Sequence, residues 1–243
     1  MLRRMHLLVA VPLAVLLALG TAAPSQADPI VLPDGLAPID SGHLLSCTEL
    51  VPHAIAITNK RVRLDVRILL DGVGEAKARG AVASMRKAYG SLGIRVAPSY
   101  DRVHFRGPDA GGLNRQAKRH YGGKRPGGTD VVYTMTSKNI TAAGPLGDDV
   151  AGLADCIGGV RFPRRAFAVG EVPGGVKEGP GKTMAHEIGH LLGGHHHYTS
   201  PEGLLAADPG PLDLMGPSLS VISLRFSTLN SLMVKGHAQK YAR

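Results

Sequence analysis

One eleven-residue run constrains this chain more than any other. HEIGHLLGGHH, His186 to His196, fits the pattern H-E-x-x-H-x-x-G-x-x-H at every fixed position. A helix turns about 100° per residue, so His186 and His190, four apart, stand on one face and can aim both imidazoles at a single ion. Glu187, beside the first of these, directs its carboxylate past the metal toward a bound water, which makes it a base and not a ligand. Gly193, followed by Gly194, is where the helix should stop, because glycine takes the left-handed conformation without a steric penalty. The turn then returns His196 to the ion. Spacing selects His196 as the third ligand and leaves His195 and His197 as solvent-exposed residues or as neighbours of the ligands. Three neutral imidazoles leave one tetrahedral position of a zinc ion open to water, as in catalytic sites. A bare H-E-x-x-H also occurs by chance, and a histidine-rich run can buffer metal, but the glycine and the third histidine make the longer pattern far more restrictive.

On these residues the chain resembles the metzincin metallopeptidases. Asp213 to Pro217, DLMGP, fits the methionine turn that lies beneath the zinc in that superfamily, with Met215 at its centre. The resemblance is strongest to the reprolysin-like (adamalysin-type) branch, through DVVYTMTS at 130–137, VAGLADCIGG at 150–159 and RFS at 225–227. One departure is His197, which stands where that branch carries Asp. Pro217 stands where some metzincins carry a ligating tyrosine. The resemblance implies an α/β (α+β) zincin. Its parts would be a mixed, mostly parallel twisted sheet with an edge strand above the cleft, an active-site helix, and a small C-terminal subdomain holding the Met-turn and a terminal helix. It also implies that 150–159 supplies the edge strand against which an extended peptide pairs. Met215 would be a packing residue under the ligands.

The start of the chain reads as an export signal. Arg3 and Arg4 precede an apolar run from Leu7 to Leu19, and Ser25-Gln26-Ala27 offers a small-residue cleavage site. The run is shorter than the roughly 20 apolar residues of a spanning helix. The expected organisation is therefore a signal peptide over 1–27, a Pro- and Gly-rich leader over 28–44 and one catalytic domain over 45–243, secreted, with no membrane span once the signal is removed. Losing Arg3 and Arg4 lowers the formal charge from +9 to +7. The remaining basic residues are scattered with few aromatics among them, unlike a nucleic-acid surface, so no nucleic-acid partner is expected. A peptide or protein substrate and a monomeric state are.

Two cysteines, Cys47 and Cys156, make one disulfide the expectation for an exported chain. The rival reading is a Cys47 thiolate that plugs the zinc of a latent precursor. Alternating apolar and charged residues give a strand over Val62 to Leu70. Ala78, Val82, Met85, Tyr89 and Leu92 follow at helical spacing as core. A second strand covers 94–105, broken or bulged at Pro98. A short helix is expected around Leu113 to Tyr121, strands at 130–137 and 166–172, and an active-site helix from near Gly181. A last helix runs from Ser223 to Ala242, with Phe226, Leu229, Leu232 and Met233 as core and His237 exposed. Asp148, Asp149 and Asp155 read as a solvated acidic loop, with calcium as the alternative. Leu204, Leu205, Leu212 and Leu219 hint at an apolar specificity pocket.

The function that follows is a secreted zinc endopeptidase in which Glu187 assists attack by a zinc-bound water and then protonates the leaving amine. The alternatives are a catalytically idle metzincin scaffold and a secreted zinc-binding module; both dispense with Glu187, which this chain retains.

Overall fold

A computed structural model describes residues 47, 55–56, 58–142, 150–172, 179–196, 213–216 and 223–242. The signal and leader segments, His197, Pro217, Asp148, Asp149 and the four pocket leucines lie outside the described residues.

Five strands form one sheet: β1 (Val62–Asp71), β2 (Ile94–Val103), β3 (Val131–Thr136), β4 (Gly152–Ala154) and β5 (Phe167–Glu171), in the order β2-β1-β3-β5-β4. β1, β2, β3 and β5 run parallel, and β4 alone pairs antiparallel, with β5. Helices α1 (Glu75–Gly90), α2 (Ala110–His120) and α3 (Gly179–Leu191) connect or follow the strands, and α4 (Thr228–Tyr241) is the terminal helix. This is an α/β fold with a mixed, mostly parallel sheet, as expected. None of the described helices is long and apolar enough to cross a membrane.

Strand alternation sorts the core into two layers. Leu64, Val66, Ile68 and Leu70 of β1, with Val131, Tyr133 and Met135 of β3, face α1 and α3. Leu69, Val132, Phe167 and Val169 face the other way, onto Leu113 and Ala117 of α2. Central strands covered on both faces carry near-continuous apolar sequence, which is why VVYTMT is buried at every position. α1 and α3 meet closely at Gly181, where an added Cβ would stand 2.6 Å from the Cβ of Ser84 and 2.9 Å from the carbonyl of Ala81. The Tyr89 hydroxyl then ties the pair by donating to the Ala185 carbonyl at 2.8 Å, one residue before the first histidine of the motif.

Several expectations need correction. β2 is neither broken nor bulged at Pro98; it continues through Pro98, which stands opposite Val66. β2 is an edge strand, so proline's missing donor costs no ladder bond on the free side. α4 begins at Thr228, and Leu232 is 38% exposed. Phe226 and Met233 are buried as expected, Leu229 is half-buried, and Val234 and Ala238 complete the core face of the helix. His237, expected on the surface, is buried. Asp155 belongs to no acidic cluster among the described residues; it is paired with Lys118 at 2.6 Å and Arg165 at 3.2 Å.

Cys47 and Cys156 form a disulfide with a Cα–Cα distance of 5.6 Å, and the Cys47 amide donates to the Ile157 carbonyl at 2.8 Å. The bridge spans 109 positions and ties the start of the domain to the segment just after β4. The latency-switch reading of Cys47 is thereby replaced by a structural one. Thiol titration of the denatured, unreduced protein should find no free thiol, and two after reduction; two before reduction would refute the bridge.

Burial raises the pKa of Tyr89 well above its ordinary value of 10.0, with the charge of Glu187 adding to it. Burial raises Tyr133 likewise, with Glu187 and Glu171 as secondary causes. A raised folded-state pKa means the native protein holds these protons more tightly than the unfolded chain. Their contribution is therefore intact below about pH 10 and lost as pH climbs above it, at up to about 2.7 kcal/mol per pH unit for the two. Alkaline denaturation followed by tyrosinate absorbance should show these two ionising only as the fold is lost. Full tyrosine ionisation with native circular dichroism would contradict the burial.

Candidate metal centre and active site

α3 starts with Gly179-Pro180, where proline's absent N–H lies in the first turn and removes no helical bond. Its residues from Thr183 to Leu191 are all buried, including His186, Glu187 and His190 at 0% exposure. The helix gives way after Leu191, and Gly193 takes φ +87°, as the left-handed stop requires. Gly193 donates to the carbonyl of His190 at 2.8 Å and Gly194 to that of Gly189 at 2.9 Å, so the chain reverses and delivers His196 to the helix face.

The three predicted ligands meet. The Nε2 atoms of His186 and His196 are 2.9 Å apart, and that of His190 is 3.0 Å from each. Two of the rings are held from behind. His186 Nδ1 donates to the Leu214 carbonyl at 2.7 Å and His190 Nδ1 to the Gly194 carbonyl at 2.8 Å. A carbonyl only accepts, so each Nδ1 carries the proton and each neutral ring turns the lone pair of Nε2 inward. At 3.0 Å with no hydrogen between them, such lone pairs repel unless a cation sits among them. Zinc with bonds of about 2.0–2.1 Å to three nitrogens at tetrahedral angles needs them roughly 3.3 Å apart, a few tenths of an ångström wider than here. The donor set, its spacing and its tautomers fit one zinc ion. Among the described residues this is the one cluster of histidine, cysteine, aspartate and glutamate able to hold a metal. His195 is buried beside the triad and does not join it.

The methionine turn does two separate things. Asp213 builds it: its carboxylate accepts from the Met215 amide at 2.8 Å and its carbonyl from that of Gly216 at 3.1 Å. Leu214, an apolar residue with no side-chain chemistry to mark it, provides the carbonyl that fixes His186. Met215 packs beneath, its sulfur 3.0 Å from where a Cβ on Gly189 would stand and its Cε 3.3 Å from the same position on Gly194.

Glu187 lies against β4. A Cβ on Gly152 would be 2.6 Å from Glu187 Oε1, 2.7 Å from its Cγ and 2.8 Å from the Thr183 methyl. Gly170, opposite Gly152 in register, is equally committed, because a Cβ there would overlap the Tyr133 hydroxyl. This glycine pair lets the carboxylate sit flush with the edge strand.

Residues 92–197, a little under half of the chain, match the family model of the reprolysin-like metallopeptidases, M12B. Over that stretch the chain is similar to the reprolysin-like metallopeptidases. The fold resembles that of solved structures at low identity. An archaemetzincin from Methanopyrus kandleri superposes with a TM-score of 0.52 at 18% identity, over 73% of this chain and 96% of its own. A structure described as a chaperone–substrate complex gives 0.54 at 13% identity over 74% of this chain, which spans 34% of that protein's length. A zinc-dependent peptidase from Methanocorpusculum labreanum gives 0.48 at 17% identity, over 70% of this chain and 99% of its own. No curated protein matches the chain in sequence.

Gly152→Ala tests the seat of the carboxylate. The added methyl must displace Glu187, at a cost of about 1–3 kcal/mol of stability, while touching none of the three histidines. One zinc per chain should remain, and peptide hydrolysis should fall by roughly tenfold or more. An unchanged rate with unchanged stability would show that the carboxylate is not held there.

Proposed function

We propose that this chain is a secreted zinc endopeptidase in which His186, His190 and His196 hold the metal and Glu187 is the catalytic acid–base. The observation that carries this reading is the convergence of three Nε2 atoms within 3.0 Å of one another on a buried helix face that also bears Glu187. Bound there, zinc supplies Lewis acidity, polarising a carbonyl and bringing the pKa of water toward neutrality.

The remaining chemistry belongs to the chain. A carboxylate oxygen of Glu187 takes the proton of the water that attacks the scissile carbonyl carbon. The same oxygen passes that proton to the amide nitrogen as the C–N bond breaks, so one group serves as base and then as acid. Burial of Glu187 between α3 and β4 keeps bulk water from competing for this proton.

β4 supports an extended substrate. Its ladder with β5 is flanked by bonds from the Glu171 amide to the Ala151 carbonyl and from the Asp155 amide to the Phe167 carbonyl, both 2.9 Å. In an antiparallel pair, alternate residues bond inward. Leu153 therefore faces β5, while Gly152 and Ala154 turn their N–H and C=O groups to the opposite edge, where no described strand pairs with them. An extended peptide added there would run past Glu187 in fixed register. Asn114 donates to the Leu153 carbonyl at 3.0 Å and steadies this short strand from α2.

Export is supported by the signal-like first 27 residues and by the Cys47–Cys156 bridge, which suits an oxidising compartment.

Purified mature protein should carry one zinc per chain and hydrolyse casein or gelatin; chelation should abolish hydrolysis and added zinc restore it. Glu187→Gln should keep the metal and reduce turnover by at least a hundredfold. Substantial hydrolysis by that variant would end the assignment of Glu187, and wild-type protein without zinc would end the metallopeptidase reading.

A further inference from the structure

α3 fixes two of the three ligands but not the third. His186 and His190 ride the helix, whereas His196 lies beyond its last residue, Leu191, across a glycine turn. Backbone that has left a helix needs other partners, and here α4 supplies them. Asn230, fully buried, accepts from the His195 amide through Oδ1 at 2.9 Å and donates through Nδ2 to the His195 carbonyl at 3.1 Å. Asparagine and glutamine alone carry a donor and an acceptor in one plane at this size, and this one directs both at a single residue. The clamp is itself anchored: the Asn230 amide donates to Ser227 Oγ at 3.3 Å in the first turn of α4, and Met233 and Val234 bury the same side of the helix. His237, farther along α4, packs its ring against Gly193, where an added Cβ would stand 2.5 Å from Cε1.

A buried amide in a helix interior is unfavourable in two respects. Asparagine is a poor helix former, and its polar atoms lose water unless they are rebonded. A chain needing only core at this point would place leucine there.

We propose that Asn230 is a positioning residue for the metal centre. Its carboxamide holds both polar groups of the His195 backbone, so that the next residue, His196, presents Nε2 at the distance from His186 and His190 that one zinc ion requires. The inference rests on the zinc reading above.

The test is zinc affinity, measured by chelator competition on the mature chain, together with the visible spectrum of the cobalt-substituted protein. Asn230→Leu keeps the branched shape and removes both bonds; Leu232→Ala, on the exposed face of the same helix, is the control. Zinc affinity should fall ten- to a hundredfold in Asn230→Leu, the range typical for partners that orient ligands, with an altered cobalt band, and should be unchanged in Leu232→Ala. A zinc affinity within twofold of wild type in Asn230→Leu, whatever its melting temperature, would overturn the proposal. Should Asn230→Leu fail to fold, Asn230→Asp carries the test. It keeps the acceptor for the His195 amide and loses the donor, so zinc release should be faster than in wild type, and a wild-type release rate would overturn the proposal. Wild type that binds zinc but cleaves no peptide would defeat the peptidase reading and leave the clamp standing.

Discussion

Three imidazole Nε2 atoms brought within 3.0 Å of each other, at least two of them with the lone pair turned inward, are a crowded arrangement that repels, and the surrounding structure is what holds them together. A single cation relieves the repulsion, but only if the rings are already aimed. The aim comes from the backbone: the Leu214 and Gly194 carbonyls set the tautomers of His186 and His190, and the burial of α3 on both sides prevents the rings from swinging to solvent. Metal-ligand histidines commonly depend on such outer partners, because a ring free to rotate spends binding energy on being ordered. Here the partners come from two places far apart in sequence, the glycine turn directly after α3 and the methionine turn beyond it.

Close approach makes this packing possible, and glycine makes close approach possible. Gly181 lets α3 touch α1, Gly152 and Gly170 let Glu187, Thr183 and Tyr133 meet the sheet, and Gly189 and Gly194 admit Met215 and Phe226 beneath the ligands. Each position would bring an added methyl within about 3 Å of its neighbours or closer, where interiors packed at crystal density have no slack. Several glycines around the centre therefore have packing roles, distinct from the conformational role of Gly193, whose φ of +87° alone demands the residue.

The features that were legible in the sequence are those governed by local periodicity. The four-residue spacing of His186 and His190 and the glycine stop follow from helix geometry, and alternation located the first strand, β1. The edge strand at 152–154 was reached through family resemblance, because three residues carry too little period to be read alone. What was missed depends on tertiary neighbours. His237 looked exposed because helical spacing says which residues share a face, not what covers that face; the glycine turn covers it. Pro98 looked like a break because the sequence does not reveal that β2 is an edge. The Asp213 carboxylate, the Leu214 carbonyl and the Asn230 clamp act through partners that lie far away in sequence or on the backbone, which no local pattern names. The one available signal was an asparagine at a buried position of an otherwise apolar helix stripe.

The third ligand shows why a motif is not a site. Of the eleven residues from His186 to His196, those up to Leu191 are placed by helical hydrogen bonds and would keep their relative positions in any protein that buries the helix. The last five are placed by helix-end bonds, Leu192 to Ile188 and Gly194 to Gly189, together with non-local contacts such as those of Asn230 to His195. The His190 carbonyl, for example, receives the amides of Gly193 and of Gly158, and Gly158 lies two residues from the disulfide at Cys156. The N-terminal segment at Cys47, the loop after β4 and the end of α3 are thus tied into one covalent and hydrogen-bonded path. α4 closes the other side of the same turn. The geometry of His196 is a property of the assembled domain, and the eleven-residue run specifies it only because the rest of the chain supplies the partners.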